Sequence, residues 1–345
     1  MSANNIIKRL RIKNITSETP DAKTFVLEPL DGWQPEYQAG QFVTLVFNTR
    51  HGEKRRSYSI SSSPLLNEPL SISIKKIDNG EFSRLLIYKS VVGDILLSSG
   101  ISGFFVLPEK FNSVTLYFFL AAGSGITPCI SMIKTILADA ESKVVLIYSN
   151  RTEADTIFYS KLKDLHEQFP GRFIIHFLFS NLNDVYHSRL GNWLLQQLLD
   201  KYLDDGSRAE FYICGPFDYM HMVSLGLAGR VPAENIHKEN FINLPRLFIP
   251  RPPDTDAHMV TIHINGELYN IAVQYPATIL AAAKTQKIQL PYSCEAGRCG
   301  SCAATCTKGK VWMAYNEVLT DDEVDRGRAL ICQSYPVGGD AVIKF

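Results

Sequence analysis

Hydrophobic and polar positions change their spacing along the chain, and the first change falls near residue 110. Before it, strand-length segments predominate: Gln41–Phe47 is largely apolar, and Leu70–Lys75 alternates apolar with polar residues, as a half-buried strand does. Turn-forming pairs such as Asp31-Gly32 and Asn79-Gly80 separate such segments. Short strands at this spacing predict an antiparallel β-barrel domain over residues 5–110.

From residue 111 to 243, buried strand-like runs alternate with segments of helical periodicity. The predicted strands are Thr115–Ala121, Lys143–Tyr148, Phe173–Phe179 and Glu210–Cys214. The predicted helices are Pro128–Ala140, Ile157–Gln168, Leu190–Tyr202 and Phe217–Leu227. Strands and helices in alternation predict an α/β domain built around a parallel sheet.

A proline-bearing stretch separates this region from the last part of the chain. Residues 244–257 contain four prolines, which favours a semi-rigid linker over a packed element. Beyond it, Met259–Ile264 and Leu268–Val273 flank Asn265-Gly266, a pair typical of a tight hairpin turn. A short helix is predicted at Ile279–Gln286, so a third domain with mixed structure is expected here.

Length and charge restrict the class of protein. A chain of 345 residues exceeds one ordinary hydrophobic core, and a content of 46% apolar and 20% charged residues is typical of globular proteins. Lys plus Arg and Asp plus Glu both number 35, which argues against a nucleic-acid or anionic-membrane binder. The sequence has neither the roughly 20-residue apolar run of a membrane helix nor a signal-peptide pattern. A cytoplasmic protein is therefore expected.

Four of the seven cysteines follow a metal-binding spacing. Four residues separate Cys294 from Cys299, two separate Cys299 from Cys302, and Cys332 lies well downstream. Three thiolates from one loop and a fourth from a distant segment match the C-x4-C-x2-C…C spacing of plant-type [2Fe–2S] proteins. Zinc is the alternative, but zinc sites favour two close pairs. Cys306 is expected to be a small buried apolar residue rather than a substitute ligand.

The hexapeptide Arg56-Ser57-Tyr58-Ser59-Ile60-Ser61 contains the residue types that a flavin site needs. Arg56 offers a cation for the phosphate, Tyr58 an aromatic cover for the ring, and Ser59 a donor near ring nitrogen N5. An ordinary strand with an exposed arginine is the alternative interpretation.

Two strand ends carry the pattern of a dinucleotide site. Thr115–Ala121 runs into Ala122-Gly123-Ser124-Gly125, a turn that lets backbone approach a pyrophosphate before the next helix begins. Tight turns also use glycine for structure alone. Arg151 follows another strand, where a guanidinium suits a 2′-phosphate and slightly favours NADPH, although a solvated loop cation is the alternative.

These segments together resemble a known family. Arg56–Ser61 is similar to the R-x-Y-S-x-S flavin signature of ferredoxin–NADP reductases, and Gly80–Ser83 to their Gly-x-x-Ser pyrophosphate segment. Gly125–Pro128 is similar to their nicotinamide turn, and Tyr292–Cys302 to the cysteine loop of plant-type ferredoxins. The resemblance covers essentially the whole chain and implies a C-terminal ferredoxin domain of the β-grasp (α+β) fold at 258–345.

The resemblance also implies which residues serve each cofactor. FAD is expected at Arg56, Ser57, Tyr58, Ser59, Gly80, Phe82 and Ser83. NADPH or NADH is expected at Gly123, Gly125, Thr127, Pro128, Arg151, Gly215 and Pro216, and Phe241 is expected close to the flavin. The residues expected at the site of hydride transfer are Ser59, Cys214 and Glu239. A buried strand-end cysteine, a surface glutamate and a packing phenylalanine are the alternatives for Cys214, Glu239 and Phe241.

The order of the three domains resembles that of oxygenase reductase components, with the phenylacetyl-CoA oxygenase (epoxidase) type as the nearest likeness. This implies an oxidoreductase that passes electrons from NAD(P)H through FAD and a [2Fe–2S] cluster to a separate oxygenase. Other enzymatic roles stay open, as a reductase for a hybrid-cluster protein, a desaturase or a ferredoxin. A flavin and iron–sulfur redox sensor is the non-enzymatic alternative.

Overall fold

The protein is represented by a computed structural model that describes residues 7–50, 52–184, 188–204, 208–241 and 250–345. The first eleven strands are β1 Lys8–Thr19, β2 Ala22–Pro29, β3 Phe42–Thr49, β4 Gly52–Ser59, β5 Ser71–Lys75, β6 Ile95–Ser102, β7 Leu116–Ala122, β8 Lys143–Asn150, β9 Phe173–Phe179, β10 Ala209–Cys214 and β11 Ile236–Glu239. Seven more follow, β12 His258–Ile264, β13 Glu267–Val273, β14 Ala303–Lys308, β15 Val311–Met313, β16 Arg328–Leu330, β17 Ser334–Pro336 and β18 Ala341–Lys344. The α-helices are α1 Glu81–Lys89, α2 Ile126–Asp139, α3 Tyr159–Gln168, α4 Asn192–Tyr202, α5 Phe217–Leu227, α6 Ile279–Thr285 and α7 Asp321–Asp325.

The first six strands form an antiparallel sheet in the order β4-β3-β6-β1-β2-β5. Ile60, just after β4, bridges to Ile72 on β5, so the two edge strands meet and the sheet closes into a barrel. Alternate residues of these strands, among them Phe25, Val43 and Leu45, fill the interior. The predicted antiparallel barrel is confirmed.

A parallel sheet in the order β11-β10-β7-β8-β9 forms the centre of the molecule. Tyr117 and Phe119 of β7 pack beneath α2 and α3, whereas Leu116 and Phe118 pack beneath α4 and α5. Because both faces of the sheet are covered, its strands are continuous apolar runs in the sequence. The predicted α/β architecture is confirmed.

Three helices begin at other residues than the sequence pattern predicts, and one of them, α4, begins at Asn192 rather than Leu190. The helix α2 already begins at Ile126, because a proline at Pro128 lies within the first turn, where its missing N–H costs no internal hydrogen bond. The helix α3 begins at Tyr159 rather than Ile157, because Phe158 has a left-handed backbone with φ of 63°.

The C-terminal region contains a mixed sheet in the order β13-β12-β18-β14-β16. Asn265 and Gly266 both have positive φ, 51° and 80°, as a two-residue hairpin turn between β12 and β13 requires. The part of the predicted linker that is described, residues 250–257, is anchored at Asp254, whose carboxylate accepts hydrogen bonds from Gly338 N and His258 Nε2. Residues 244–249 of that linker lie outside the described residues.

None of the helices in the described part of the chain has both the length and the apolar character needed to cross a membrane.

Candidate functional site

The four predicted cluster ligands form two pairs of thiols, and the described residues contain no group of three or more candidate ligands that could hold a single metal ion. Cys294 and Cys299 form one pair, in which the Cys294 N–H points at Cys299 Sγ at 3.4 Å. Cys302 forms the other with Cys332, the only one of the four that comes from outside the loop. The hydrogen bond from Cys299 lowers the pKa of Cys294 to about 6, while the same contact raises the pKa of Cys299.

The loop around these thiols fits a cluster with two irons, each held by two thiolates. The amides of Ala296 and Arg298 point at Cys294 Sγ at 3.4 and 3.5 Å, as the backbone does around iron–sulfur ligands. Gly297 and Gly300 have φ of 73° and 69°, a backbone conformation that favours glycine at both positions. A Cβ at Gly297 would lie 2.9 Å from the carbonyl oxygen of Tyr315.

Cys306 takes no part in these pairs. It is half-buried on β14, where its Sγ lies 3.3 Å from the Lys308 carbonyl oxygen. Its burial is consistent with the predicted packing role, and it provides a natural control for the ligand cysteines.

The predicted flavin residues occupy the end of β4 and the start of α1. Arg56 is exposed, and its guanidinium lies 5.1 Å from the ring centre of Phe82, the second residue of α1. Tyr58 is half-buried on the same strand, and Ser59 is buried at its end. The structure therefore brings Arg56 and the α1 terminus to one place, as a flavin phosphate site requires.

At this helix start, the backbone is what can meet a phosphate. Phe82 is buried and stacks on Phe47 at 4.2 Å, and the Ser83 hydroxyl accepts the Ile77 N–H at 3.1 Å. A Cβ at Gly80 would lie 2.5 Å from Ser83 Oγ, so the turn is shaped for glycine. The amides of the first helical turn remain available to an anion, whereas these two side chains serve the turn itself.

A cavity of about 630 Å³ lies at the carboxyl edge of the parallel sheet. Among its lining residues are the predicted Gly123, Arg151 and Pro216. Among the other lining residues, which the sequence pattern did not assign to a site, are Lys75, Ser149, Arg189 and Tyr219. The hydroxyls of Ser149 and Tyr219 are enclosed and lie close to each other, and neither has a hydrogen bond of ordinary geometry. Ser149 on β8 and Tyr219 on α5 belong to no sequence motif that would have identified them.

Other predicted nucleotide residues lie outside the lining of this cavity, at the ends of β7 and β10 and the start of α2. A Cβ at Gly125 would lie 1.9 Å from the Cys214 carbonyl oxygen, and one at Gly215 would lie 3.0 Å from the Ala122 Cβ. Thr127 Oγ1 donates to the Ser124 carbonyl at 3.0 Å, and Pro128 is buried in the first turn of α2. The two glycines thus let the ends of β7 and β10 approach closely.

Cys214 and Glu239 lie side by side at the ends of β10 and β11. Cys214 is fully buried, and burial raises the pKa of its thiol well above the usual range. Glu239 as a residue is half-buried, but its Oε2 atom is enclosed and has no hydrogen-bond partner. Because of this burial its pKa rises to about 8, so the carboxyl group is mostly protonated at neutral pH. Phe241 is exposed just beyond it.

A second cavity, of about 680 Å³, is lined by polar residues that include Glu18, Glu153 and Lys161. None of its lining residues belongs to the predicted sites, and we assign no cofactor to it.

The cysteine loop rests directly on the barrel. Ser57 of β4 and Ser293, which precedes Cys294, share a hydrogen bond of 2.6 Å between their hydroxyls. Ser102 of β6 and Ser301 share another of 2.8 Å. The Ser57 hydroxyl therefore faces the ferredoxin region, while its neighbour Arg56 faces α1. One strand thus connects the flavin residues with the cysteine loop.

The structure combines a barrel that carries the predicted flavin residues, a nucleotide cavity at the sheet edge and two pairs of thiols. This combination defines a pyridine-nucleotide-dependent iron–sulfur oxidoreductase. Residues 119–224 match the oxidoreductase NAD-binding domain, and residues 262–337 match the 2Fe-2S iron-sulfur cluster binding domain. The chain is 33% identical over 349 residues to a component of the 1,2-phenylacetyl-CoA epoxidase of Escherichia coli (strain K12), covering 97% of both chains. It is 31% identical over 354 residues to the ferredoxin reductase component of 3-ketosteroid-9-alpha-monooxygenase of Mycobacterium tuberculosis (strain CDC 1551 / Oshkosh), covering 98% of this chain and 96% of that one.

The chain therefore belongs to the family of oxygenase reductase components. Its fold is also that of phthalate dioxygenase reductase, with a TM-score of 0.62, 23% identity and 98% of both chains covered. The predicted family, fold class and oxidoreductase class are confirmed, as is the cofactor set of FAD, a [2Fe–2S] cluster and NADPH or NADH. Electron transfer from NAD(P)H to a separate oxygenase is the activity of this family. The individual site residues and domain boundaries stay predictions.

Proposed function

We propose that this chain supplies electrons to a phenylacetyl-CoA-type ring oxygenase. The observation that carries the electron-transfer part is the hydrogen bond between Ser57 on the flavin strand and Ser293 beside Cys294. Such a contact between the two cofactor segments favours transfer within one chain. The choice of oxygenase is supported by the 33% identity, over nearly the whole of both chains, to the phenylacetyl-CoA epoxidase component. A cytoplasmic location is part of this proposal.

On the hydride side, the protein binds and orients its two cofactors. A bound FAD accepts two electrons together as hydride from NAD(P)H and releases them singly to a [2Fe–2S] cluster. Arg56 and the α1 amides would hold the flavin phosphates, and the cavity at the sheet edge would hold the dinucleotide. Cys214 and Thr127 would confine the nicotinamide, while Glu239 holds a proton on its enclosed carboxyl group. Arg189 and Arg151, whose Nε lies 3.3 Å from the Asp155 carboxylate, both line this cavity and would meet a 2′-phosphate, which supports a preference for NADPH.

On the iron–sulfur side, the protein sets the position and surroundings of the thiolates. Cys294, Cys299, Cys302 and Cys332 would hold the cluster. The amides of Ala296 and Arg298 direct partial positive charge at Cys294 Sγ and would favour the more negative, reduced form of a bound cluster.

A steroid-ring oxygenase is the second candidate partner. It is favoured by the 31% identity to the ferredoxin reductase component of 3-ketosteroid-9-alpha-monooxygenase over 98% of this chain. The identities of the two relatives are similar, so only direct pairing separates them.

Reconstitution with purified oxygenases tests this proposal. The chain is combined in turn with a phenylacetyl-CoA oxygenase and a 3-ketosteroid oxygenase, each with its substrate, and product is compared with NADPH and NADH consumed. We expect product to form in step with NADPH consumption in the first pairing, with a lower KM for NADPH than for NADH. If the chain reduces cytochrome c rapidly but yields no product with the phenylacetyl-CoA oxygenase, that oxygenase is not its partner. Product formation with the 3-ketosteroid oxygenase would identify the steroid-ring oxygenase as the partner instead.

A further inference from the structure

We propose that Arg55 is a positioning residue for electron transfer from the flavin to the [2Fe–2S] cluster, because its buried guanidinium fastens the cysteine loop to the flavin strand. The inference rests on the proposed electron-transfer function and adds to it a residue outside every predicted cofactor site. In the step concerned, one electron at a time leaves the flavin reduced by NAD(P)H and converts one ferric ion of the cluster to ferrous iron.

Arg55 lies on β4 next to Arg56, but its side chain points at the ferredoxin region and is only 1% exposed. Its Nη1 donates to the Tyr292 carbonyl at 3.1 Å, and its Nε donates to the Glu53 carboxylate at 2.7 Å. The guanidinium also lies 3.8 Å from the ring centre of Tyr292. A buried guanidinium that has a carboxylate, a carbonyl and an aromatic ring as partners is held in one orientation.

Tyr292 transmits this anchoring to the cysteine loop, since it lies two residues before Cys294. Its hydroxyl donates to Glu53 Oε1 at 3.3 Å, so both ends of the tyrosine are tied to β4. Lys284 Nζ lies 4.5 Å from the same ring and forms an ion pair with Glu295 at 2.9 Å. The residues on both sides of Cys294 therefore belong to one connected network that begins at Arg55.

A second contact holds the other end of the loop. Phe104 of the barrel lies on the backbone of Gly300, where a Cβ would be 2.1 Å from the phenyl ring. Ser102 and Ser301 are hydrogen-bonded beside it, and Ser301 Oγ lies 3.4 Å from Cys299 Sγ. The barrel therefore contacts the loop beside both Cys294 and Cys299.

These contacts make the position of one thiol pair relative to the flavin strand depend on Arg55. None of the residues that make these contacts lines the nucleotide cavity. Loss of the guanidinium should consequently slow the step between the cofactors and leave hydride transfer unchanged. The rate of electron transfer falls steeply as the distance between two cofactors grows, so a displaced thiol pair slows this step.

The experiment uses the holoenzyme under anaerobic conditions in a stopped-flow spectrometer. NADPH is mixed with wild type, Arg55→Gln, Arg55→Lys and Phe104→Ala, and flavin bleaching and cluster bleaching are followed separately. We expect unchanged flavin bleaching and a several-fold slower cluster reduction in Arg55→Gln, because a displaced loop lengthens the path between the cofactors. Arg55→Lys keeps the charge but loses the planar fork, so it should be intermediate. Arg11→Gln, which removes an exposed barrel arginine paired with Glu28, is the matched control and should behave as wild type.

Wild-type rates of cluster reduction in Arg55→Gln, at full cofactor content, would overturn the inference. Equal slowing of flavin and cluster bleaching would do the same, because it would show general damage. If Arg55→Gln does not fold, Phe104→Ala decides, since Phe104 is 37% exposed and its loss leaves no buried charge. Failure of the wild-type chain itself to reduce the cluster would instead reject the proposed function.

Discussion

Glu239 and Cys214 illustrate what single residues contribute at the sheet edge. They are register partners on β11 and β10, and the enclosed carboxyl group lies near two buried thiols, Cys214 and Cys129. The sequence allowed a surface glutamate as the alternative for Glu239. Its enclosed Oε2 atom and raised pKa support the functional interpretation, although they leave its catalytic role a prediction.

We predict that Glu239 makes stability depend on pH in a specific window. Its pKa in the folded protein is about 8, against an ordinary value of 4.5, so the folded state favours the protonated form. This contribution is fully present below pH 4.5 and is lost as the pH rises towards 8. The thermal midpoint of wild type relative to Glu239→Gln should therefore fall across this window, on the order of a few °C. A constant difference between the two proteins would show that the carboxyl group is not buried as described.

At the scale of elements, the strand β4 presents different residues to two partners. Arg56 contacts Phe82 of α1, whereas Arg55 and Ser57 contact Tyr292 and Ser293 of the ferredoxin region. The alternation along a strand predicts that Arg56 and Tyr58 share a face. It does not predict what covers the opposite face, because the partner of Arg55 lies 237 residues further along the chain. The sequence therefore predicted the flavin segment but not the loop contact.

The turn between β7 and α2 can be tested through Gly125. Its backbone is ordinary, with φ of −60°, so an alanine there is strained only by the 1.9 Å approach of its Cβ to the Cys214 carbonyl. We predict that Gly125→Ala lowers stability by about 1–3 kcal/mol, as overpacking does, and raises the KM for NADPH. Thermal unfolding and steady-state kinetics measure the two effects.

Gly191→Ala is the matched control for this change. Gly191 also precedes a helix, with φ of −111°, and a Cβ there meets no atom within 4 Å. Equal behaviour of the two variants would contradict the close contact between β7 and β10.

At the scale of the whole molecule, patterns local in sequence were sufficient for much of the architecture. The apolar runs of β7 to β10, the Asn265-Gly266 turn and the cysteine spacing each predicted their structures because short-range physics determines them. The long-range features were not predictable in this way. The pairing of the thiols, the polar lining contributed by Ser149 and Arg189, and the seating of the cysteine loop on the barrel depend on segments that are distant in sequence.

The central claim is that electrons enter the chain in pairs at the flavin and leave singly through the cluster. Cys299→Ser tests it most directly, with Cys306→Ser as the control, because Cys306 lies outside the thiol pairs and packs against the core of the ferredoxin region, with its Sγ 3.3 Å from the Lys308 carbonyl oxygen. Anaerobic flavin bleaching by NADPH and steady-state reduction of cytochrome c are measured on both. We predict that Cys299→Ser keeps flavin bleaching and loses cytochrome c reduction, while Cys306→Ser keeps both. Wild-type cytochrome c reduction by Cys299→Ser would contradict the account.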